Sequence, residues 1–410
     1  KLGLTSCRFY NMTKFKAIKG NIASPKGFMA DAIHAELKFQ KLDLGLILSE
    51  VPAAVAGVFT TNKVAAAPID LDKAVVAGGV AQAIIVNSAI ANAVTGDEGN
   101  TNAKKTQRLL AEKFDLNPNH VAVCSTGVIG KQLPMDKIAL GISKLSAENG
   151  HANGFAEAIL TTDLVTKEVT YEVEIAGKTV TVAGVCKGSG MIHPNMATML
   201  GFITTDAKIA QPLLQNMLSE IIETTFNQIT VDGDTSTNDT VLVMANGQAD
   251  NSEILVDTAD YDTFKAVLAI VCQDLAKKIA ADGEGATKLI EVNVTGAPDE
   301  LSARLIAKQI VGSSLVKTAI FGADPNWGRV ISAIGQVAPF EVPDIELEIQ
   351  GDLVLLHSTP VDFDQAELSE KLKEKVVVID ADLNNGTQTG TAWGCDLTYK
   401  YVEINALYHS

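Results

Sequence analysis

Basic residues are the minority in this sequence. The 410 residues include 33 lysines and arginines against 49 aspartates and glutamates, which gives a formal net charge of −16 at pH 7. A chain this acidic is not expected to present a broad nucleic-acid surface or to bind an anionic membrane. Long apolar runs are missing as well, and none reaches the length that crosses a bilayer. We therefore predict no nucleic-acid partner and no membrane partner, and the acidic field mildly favours a cationic substrate.

Cysteine and histidine are sparse and scattered. The six histidines stand apart from one another. The cysteines are odd in number and lack the paired spacing that binds zinc; they are Cys7, Cys124, Cys186, Cys272 and Cys395. This pattern favours buried free thiols in a reducing compartment. We therefore predict a cytoplasmic protein with no metal site and no resident cofactor.

The first residues differ from the rest of the chain. Residues 1–11 contain no acidic residue, and Met12 opens the first clear pattern. We interpret residues 1–11 as a leader or as the stub of a targeting segment, and they are left out of the fold prediction.

The remaining chain mixes strand and helix patterns at a composition, 47% hydrophobic and 20% charged, that is ordinary for a globular protein. Strands are predicted over 15–18, 42–49, 54–60 and 81–88, a hairpin over 169–186, and a closing strand over 391–404. Helices are predicted over 101–114, 208–226, 262–281 and 301–316. Hairpins beside crossovers indicate an α/β (α+β) fold, with layered sheets flanked by helices in two lobes.

The stretch most suggestive of chemistry is residues 187–200, Lys-Gly-Ser-Gly-Met-Ile-His-Pro-Asn-Met-Ala-Thr-Met-Leu. Its glycines permit backbone paths that other residues rarely follow, and Pro194 stiffens the middle. Thr198 stands at the mouth of a predicted buried strand. If the chain were cut before Thr198, the hydroxyl would lie beside its own freed α-amine, which is a base within reach. A plain glycine-rich loop before a strand fits the same pattern, whereas a phosphate cradle would need the Walker spacing that is missing.

Three further positions could serve acyl transfer. Ser125-Thr126-Gly127 follows a short strand, so the Thr126 hydroxyl and the Gly127 amide could point at one developing oxyanion. Lys187 could bind a carboxylate as a point charge, and Glu284, between two glycines, could hold an ammonium group. A strand-ending turn, a solvated lysine and a helix-ending loop would produce the same patterns, so each position has a purely structural alternative.

Several blocks in this order resemble the ornithine acetyltransferase family, also called bifunctional glutamate N-acetyltransferase. The resemblance runs from about residue 14 to residue 410. The blocks are residues 187–200, Pro25-Lys-Gly-Phe28, Cys124-Ser-Thr-Gly127, Thr161-Thr-Asp163, Asp282-Gly-Glu-Gly-Ala-Thr-Lys288, Asp324-Pro-Asn-Trp-Gly-Arg329 and Ala392-Trp-Gly-Cys-Asp396. Ala89 and Val94 depart from the family pattern, since glycine and cysteine are expected there.

The resemblance implies roles for individual residues. Cleavage between Ala197 and Thr198 would make Thr198 the N-terminal nucleophile, and Thr126 and Gly127 would form the oxyanion hole. The implied substrate-contact positions are Thr161, Lys187, Thr198, Glu284, Asn405 and Ser410, where Ser410 keeps the hydroxyl of the threonine common in the family. The fragments 12–197 and 198–410 are expected to stay together and to pair as an (αβ)2 heterotetramer. The family fold resembles that of the related self-cleaving aminopeptidases.

The activity implied is a ping-pong transfer in arginine biosynthesis. An acetyl group would pass from N2-acetyl-ornithine to the threonine and then to glutamate, with acetyl-CoA as a candidate second donor. Two alternatives stay open at this point. One is a self-cleaving aminopeptidase that passes the acyl group to water, and the other is an uncleaved amino-acid-binding protein.

Overall fold

The computed structural model describes residues 15–148, 151–193, 199–342 and 344–407. The predicted leader 1–11, the cleavage pair Ala197 and Thr198, and the substrate-contact position Ser410 lie outside these residues.

The larger sheet is mostly antiparallel and is built around one long strand. Within the described residues its order is β1-β6-β7-β8-β9-β3-β4-β5, with β2 also paired to β3. Its strands are β1 (Phe15–Ala17), β2 (Phe28–Ile33), β3 (Leu44–Phe59), β4 (Val80–Asn87), β5 (Val121–Ser125), β6 (Lys167–Ile175), β7 (Lys178–Lys187), β8 (Leu200–Thr205) and β9 (Thr240–Ala245). The pairs β4–β5 and β8–β9 are parallel.

Strand β3 lets this sheet double back on itself. The sequence predicted two strands here, but the segment is continuous, and its register with β4 shifts between Leu48 and Ala53. One half of β3 pairs with β2 and the other half with β9. Such a shift bends a strand, so the two halves of the sheet face each other.

Alternate residues show this layering. On β4, Ile84 and Val86 pack in an inner core together with Phe202 of β8 and Met244 of β9. The residue between them, Ile85, faces the opposite way, into a different cluster. Because side chains alternate across a strand, the inner core must lie between two sheet layers.

Helices cover both outer faces of this sandwich. They are α2 (Gly96–Phe114), α3 (Met135–Lys144), α5 (Gln211–Thr224) and α6 (Ala259–Ala281). Two more helices, α1 (Ala67–Gly78) and α4 (Gly154–Ala158), contribute side chains to the inner core through Val75 and Phe155. Helices α2 and α3 pack on the β3–β4–β5 side through Leu110 and Ile142. Helices α5 and α6 pack on the β7–β8–β9 side through residues such as Leu218 and Leu275. The prediction of layered sheets flanked by helices is confirmed.

A second sheet forms the other lobe with its own core. Its order is β13-β12-β11-β14-β10-β15. The strands are β10 (Leu289–Ala297), β11 (Glu346–Ile349), β12 (Asp352–Leu356), β13 (Thr359–Pro360), β14 (Val376–Asp382) and β15 (Gln388–Cys395). The remaining helices are α7 (Glu300–Gly312), α8 (Ser314–Phe321), α9 (Trp327–Val337), α10 (Gln365–Lys371) and α11 (Tyr399–Leu407).

Two predicted elements of this lobe were wrong. The helix predicted over 301–316 is interrupted at Ser313, whose hydroxyl accepts the amide of Val316 at 3.4 Å and so starts α8. The strand predicted over 391–404 stops at Cys395, and α11 follows. At its start the Thr398 hydroxyl donates to the carbonyl of Gly285 and accepts the amide of Lys400, which turns the chain out of the sheet.

In the described part of the chain, Cys124, Cys186, Cys272 and Cys395 are free and buried, as predicted. The described part of the chain contains no cluster of His, Cys, Asp and Glu side chains that could hold a metal ion. None of the described helices combines the length and apolar character needed to span a membrane.

Candidate active site

A cavity of about 370 Å³, here called the central cavity, opens where β5 and β7 end and where β8 and β9 begin. Six predicted site residues lie in its wall: Thr126, Gly127, Thr161, Lys187, Glu284 and Asn405. They come from distant parts of the chain, so the fold itself brings them together. Their individual roles stay predictions.

Thr126 and Gly127 continue directly from β5. The Thr126 amide donates to the carbonyl of Asn87 at 3.0 Å, and the Val128 amide donates to the carbonyl of Ala89 at 2.9 Å. Gly127 has φ +128°, and a Cβ placed there would lie 2.2 Å from the carbonyl carbon of Ala89. Both the backbone angle and the close approach therefore require glycine at this position.

Strand β5 is an edge strand, and side chains fill the place of a missing neighbour. Asp72 of α1 accepts the Val123 amide at 2.7 Å and the Cys124 thiol at 3.4 Å. Burial raises the pKa of Asp72 to about 8. These contacts fix the strand that carries Thr126 and Gly127 toward the central cavity.

Asn238 ties this turn to the start of β9. Its amide group donates to the carbonyl of Ala91 at 2.6 Å and to the carbonyl of Ser125 at 2.8 Å. The sequence analysis did not single out Asn238. In the sequence, the side-chain amide of Asn238 cannot be distinguished from that of any other loop asparagine.

Lys187 ends β7 and pairs with Leu200, the first residue of β8. The lysine is 8% exposed, and its ammonium lies 3.9 Å from Oδ2 of Asp163. Since Lys187 also lines the central cavity, its charge is available to a substrate carboxylate.

Asp163 is the centre of a buried ionic cluster. It accepts the amides of Thr161 at 3.0 Å and Gly188 at 2.6 Å, and the ammonium of Lys167 at 2.7 Å. Burial alone would raise the pKa of Asp163, but Lys187 and Lys167 hold it well below its usual range. The carboxylate therefore stays ionised and fixes the backbone at Thr161 and at Gly188.

Lys167 joins Asp163 to Asp282. Its ammonium lies 2.6 Å from Oδ2 of Asp282, and that oxygen also accepts the amide of Leu164 at 3.1 Å. The carbonyl of Asp282 accepts the Ser189 hydroxyl at 2.7 Å. We refer to Asp163, Lys167 and Asp282 as the ionic cluster; the sequence blocks contained both aspartates, but it did not show their contact with Lys167.

Glu284 is fixed by its neighbours on three sides. Its amide donates to the carbonyl of Ser189 at 3.0 Å, and Oε2 accepts the side-chain amide of Asn405 at 2.8 Å. A Cβ atom at Gly190 would lie 2.4 Å from the Glu284 carboxylate, so glycine leaves room for this side chain. A carboxylate held in this way can receive a substrate ammonium.

Comparisons with known proteins identify the family. Residues 29–410 match the ArgJ family. A curated arginine biosynthesis bifunctional protein ArgJ from Lactococcus lactis subsp. lactis is 74% identical over 395 residues, covering 96% of this chain and 100% of the relative.

Two solved structures match parts of the chain. The crystal structure of the arginine biosynthesis bifunctional protein argJ from Bacillus halodurans is 54% identical at a TM-score of 0.51, and it covers 52% of this chain and 100% of its own. An ornithine acetyltransferase from Mycobacterium tuberculosis, complexed with ornithine, is 34% identical at a TM-score of 0.41 and covers 45% of this chain and 99% of its own. With a family match over most of its length and high identity to a full-length relative, the chain belongs to the ArgJ family.

Proposed function

We propose that this protein transfers an acetyl group from N2-acetyl-ornithine to glutamate through an ester on Thr198. The observation that carries the proposal is the shared cavity. Thr126, Gly127, Lys187 and Glu284 line it together with Met199, the residue bonded to Thr198. An oxyanion site, a cation and an anion around the attachment point of a hydroxyl are the groups that acyl transfer between amino acids needs.

The nucleophile has to be generated first. We propose that the chain is cut between Ala197 and Thr198, which gives fragments 12–197 and 198–410. The Thr198 hydroxyl attacks the Ala197 carbonyl carbon and displaces the Thr198 nitrogen, which takes up the hydroxyl proton and becomes a free α-amine. Water then hydrolyses the resulting ester, which leaves a carboxyl group on Ala197 and restores the Thr198 hydroxyl. Residues 198–410 are 213 of the 410 residues, about 52%, and the Bacillus halodurans chain matches 52% of this chain over its whole length. That agreement in size supports the cut.

Acetyl transfer then proceeds in two steps. The Thr198 hydroxyl attacks the acetyl carbonyl and passes its proton to its own α-amine. The Thr126 hydroxyl and the Gly127 amide donate to the oxyanion, at about 3 kcal/mol of transition-state stabilisation per donor in comparable sites. Ornithine leaves with the proton from the α-amine. The amine of glutamate attacks the threonyl ester in turn and restores the free hydroxyl.

Charge selects the substrates. Lys187 is suited to the α-carboxylate that both amino acids carry, and Glu284 is suited to the side-chain ammonium of ornithine. The held carboxylate of Glu284 thus favours ornithine over neutral side chains. Thr161 and Asn405, also in the wall, would add hydrogen bonds to the substrate backbone.

We extend the proposal to a second donor and to assembly. The Lactococcus relative is named a bifunctional protein, and acetyl-CoA is the second acetyl donor that we propose here. The two fragments are proposed to associate as an (αβ)2 heterotetramer. The buried free thiols suit a reducing compartment, which supports a cytoplasmic location.

The decisive experiment is an intact-mass spectrum under denaturing conditions, followed by a transfer assay with N2-acetyl-ornithine and glutamate. We expect two fragments, the second beginning at Thr198, and formation of N-acetylglutamate. Thr198→Ala should remain uncut and inactive. Acyl release to water without glutamate would favour the aminopeptidase alternative. An uncut wild-type chain that binds ornithine without transfer would favour the binding protein.

A further inference from the structure

One buried carboxyl in the wall of the central cavity has an oxygen without a partner. Asp239 is 2% exposed, and it lies beside Thr237 and Asn238 in the cavity lining. In the described part of the chain, its Oδ2 atom has no hydrogen-bond partner. Buried polar atoms are nearly always paired, so an unpaired one beside a cavity calls for an explanation.

The register of the sheet places Asp239 next to the start of β8. Leu200 pairs with Thr240 in the parallel β8–β9 ladder, and the Thr240 amide donates to the carbonyl of Met199 at 2.9 Å. Asp239 therefore lies beside Met199. Met199 is bonded to Thr198, so Asp239 lies beside the residue that follows the proposed nucleophile.

Asp239 is a buried carboxyl, and its ionised form needs hydrogen-bond donors or positive groups beside it. Burial raises the pKa of Asp239 well above its usual range, while Ser236, the Met199 amide and Lys187 act in the opposite direction. Lys187, across β8 at the end of β7, is the charged side chain that acts on it. A further positive group close to Oδ2 would stabilise the ionised carboxylate and would supply the missing donor.

We propose that Asp239 is the positioning residue for the α-amine of Thr198 after cleavage, with an N–H of that amine donating to Oδ2. This inference rests on the function proposed above. Before the cut, the Thr198 nitrogen is a peptide nitrogen, and it has no basic lone pair to offer the hydroxyl. After the cut, the hydrogen bond fixes the amine so that its lone pair is directed to the hydroxyl proton. The amine that cleavage creates is thus the hydrogen-bond donor assigned to Oδ2 of Asp239.

This assignment separates cleavage from transfer. Cleavage does not use the free amine, whereas transfer does. Asp239→Asn should therefore be cut to the wild-type extent in the intact-mass spectrum but should lose about tenfold or more in kcat, which is part of the roughly 100- to 10,000-fold that a well-placed general base contributes. The KM for N2-acetyl-ornithine should stay within about threefold, which is less than the roughly tenfold effect expected when a direct substrate contact is lost.

The pH profile gives a second readout. A carboxylate beside the amine raises the pKa of the amine, so its loss should move the acidic limb of kcat/KM to lower pH by about one unit. The matched control is Asp234→Asn, which removes a carboxylate from an exposed position in the same segment. It should leave both the acidic limb of kcat/KM and the value of kcat unchanged.

Several outcomes would overturn the inference. The first is an Asp239→Asn protein that is cut and transfers at the wild-type rate with an unmoved acidic limb. The second is an Asp239→Asn protein in which only the KM changes. The third is an Asp239→Asn protein that folds with a wild-type circular dichroism spectrum but stays uncut. Should Asp239→Asn not fold, Asp239→Ser is measured in the same way. A wild-type protein that is not cut or does not transfer would instead contradict the function proposed above.

Discussion

The ammonium of Lys167 lies 2.7 Å from Oδ1 of Asp163, and both side chains are fully shielded from solvent. The same ammonium lies 2.6 Å from Asp282. One buried cation therefore contacts two carboxylates, and Asp163 in turn fixes the backbone of Thr161 and Gly188. The ionic cluster therefore supports the backbone beside the central cavity.

Removing the Lys167 ammonium should show how much the ionic cluster contributes to the free energy of unfolding. We expect Lys167→Met to lower the free energy of unfolding by about 3–5 kcal/mol, because Asp282 loses its contact with the ammonium and Asp163 keeps Lys187 at the longer distance of 3.9 Å. Urea unfolding monitored by circular dichroism measures this change in the free energy of unfolding. The control is Lys16→Met, since Lys16 pairs with Glu172 at the surface with its side chain 77% exposed, and it should change stability by less than about 1 kcal/mol. Equal effects of the two substitutions would contradict a special role for the ionic cluster.

Gly190→Ala should weaken substrate binding more than it lowers the stability of the fold. The new Cβ would lie 2.4 Å from the Glu284 carboxylate, which is the flexible end of a side chain and can move aside. We expect the KM for N2-acetyl-ornithine to rise about tenfold, equivalent to about 1.4 kcal/mol, with little change in the urea midpoint. Gly335→Ala is the control, because nothing lies within 4 Å of that position. An unchanged KM would show that Glu284 does not hold the substrate.

Ala89 adopts a backbone angle that disfavours a side chain. Its φ is +91°, and it is the position where the family pattern has glycine. We expect Ala89→Gly to stabilise the protein by about 1 kcal/mol through relief of this strain. Ala91→Gly, two residues further on, should destabilise it, since buried Ala91 is not in the left-handed region. The urea midpoints of the two variants should therefore move in opposite directions; a lower midpoint for Ala89→Gly would contradict the strain.

Asp72 should make stability depend on pH in a defined direction. Its pKa rises from 3.8 to about 8 on folding, so the folded state holds a proton that the unfolded state releases between these values. Stability is therefore lost as pH rises from about 4 to 8. Asp72→Asn cannot titrate, and its advantage over the wild type should grow across this window to more than about 2 kcal/mol, since a tenfold change in proton affinity equals about 1.4 kcal/mol.

The control for this prediction lies on the same helix. Asp70 has a side chain 93% exposed, and Asp70→Asn should show no such pH-dependent difference. Urea midpoints at pH 5 and pH 8 for the three proteins make the comparison. A constant offset between wild type and Asp72→Asn at both values would contradict the raised pKa.

Local pattern was enough for some elements and insufficient for others. The hairpin predicted over 169–186 matches β6 and β7, and the helix predicted over 262–281 matches α6 to within its first turn. Helix α1 was missed because Pro68 and a run of alanines and valines carry little amphipathic signal. The continuity of β3 depends on its partners β2 and β9, which no local window contains.

The candidate site divides in the same way. Thr126, Gly127, Lys187 and Glu284 were predicted because they stand in short blocks typical of the family. Lys167 was missed, since its partner Asp282 is 115 residues away and only the folded sheet brings the two together. The unpaired oxygen of Asp239 is likewise a property of burial, which depends on the whole sandwich.

The pairing of β7 with β8 has a consequence for the order of the folding reaction. These strands lie on opposite sides of the proposed cut, and β3 and β9 are likewise joined across it by a ladder of hydrogen bonds. Folding of the uncut chain is unimolecular. Once the peptide bond is gone, the same sheet becomes the interface of two polypeptides, and regaining it after full denaturation is a second-order process. Maturation would thereby convert a concentration-independent stability into one that falls on dilution.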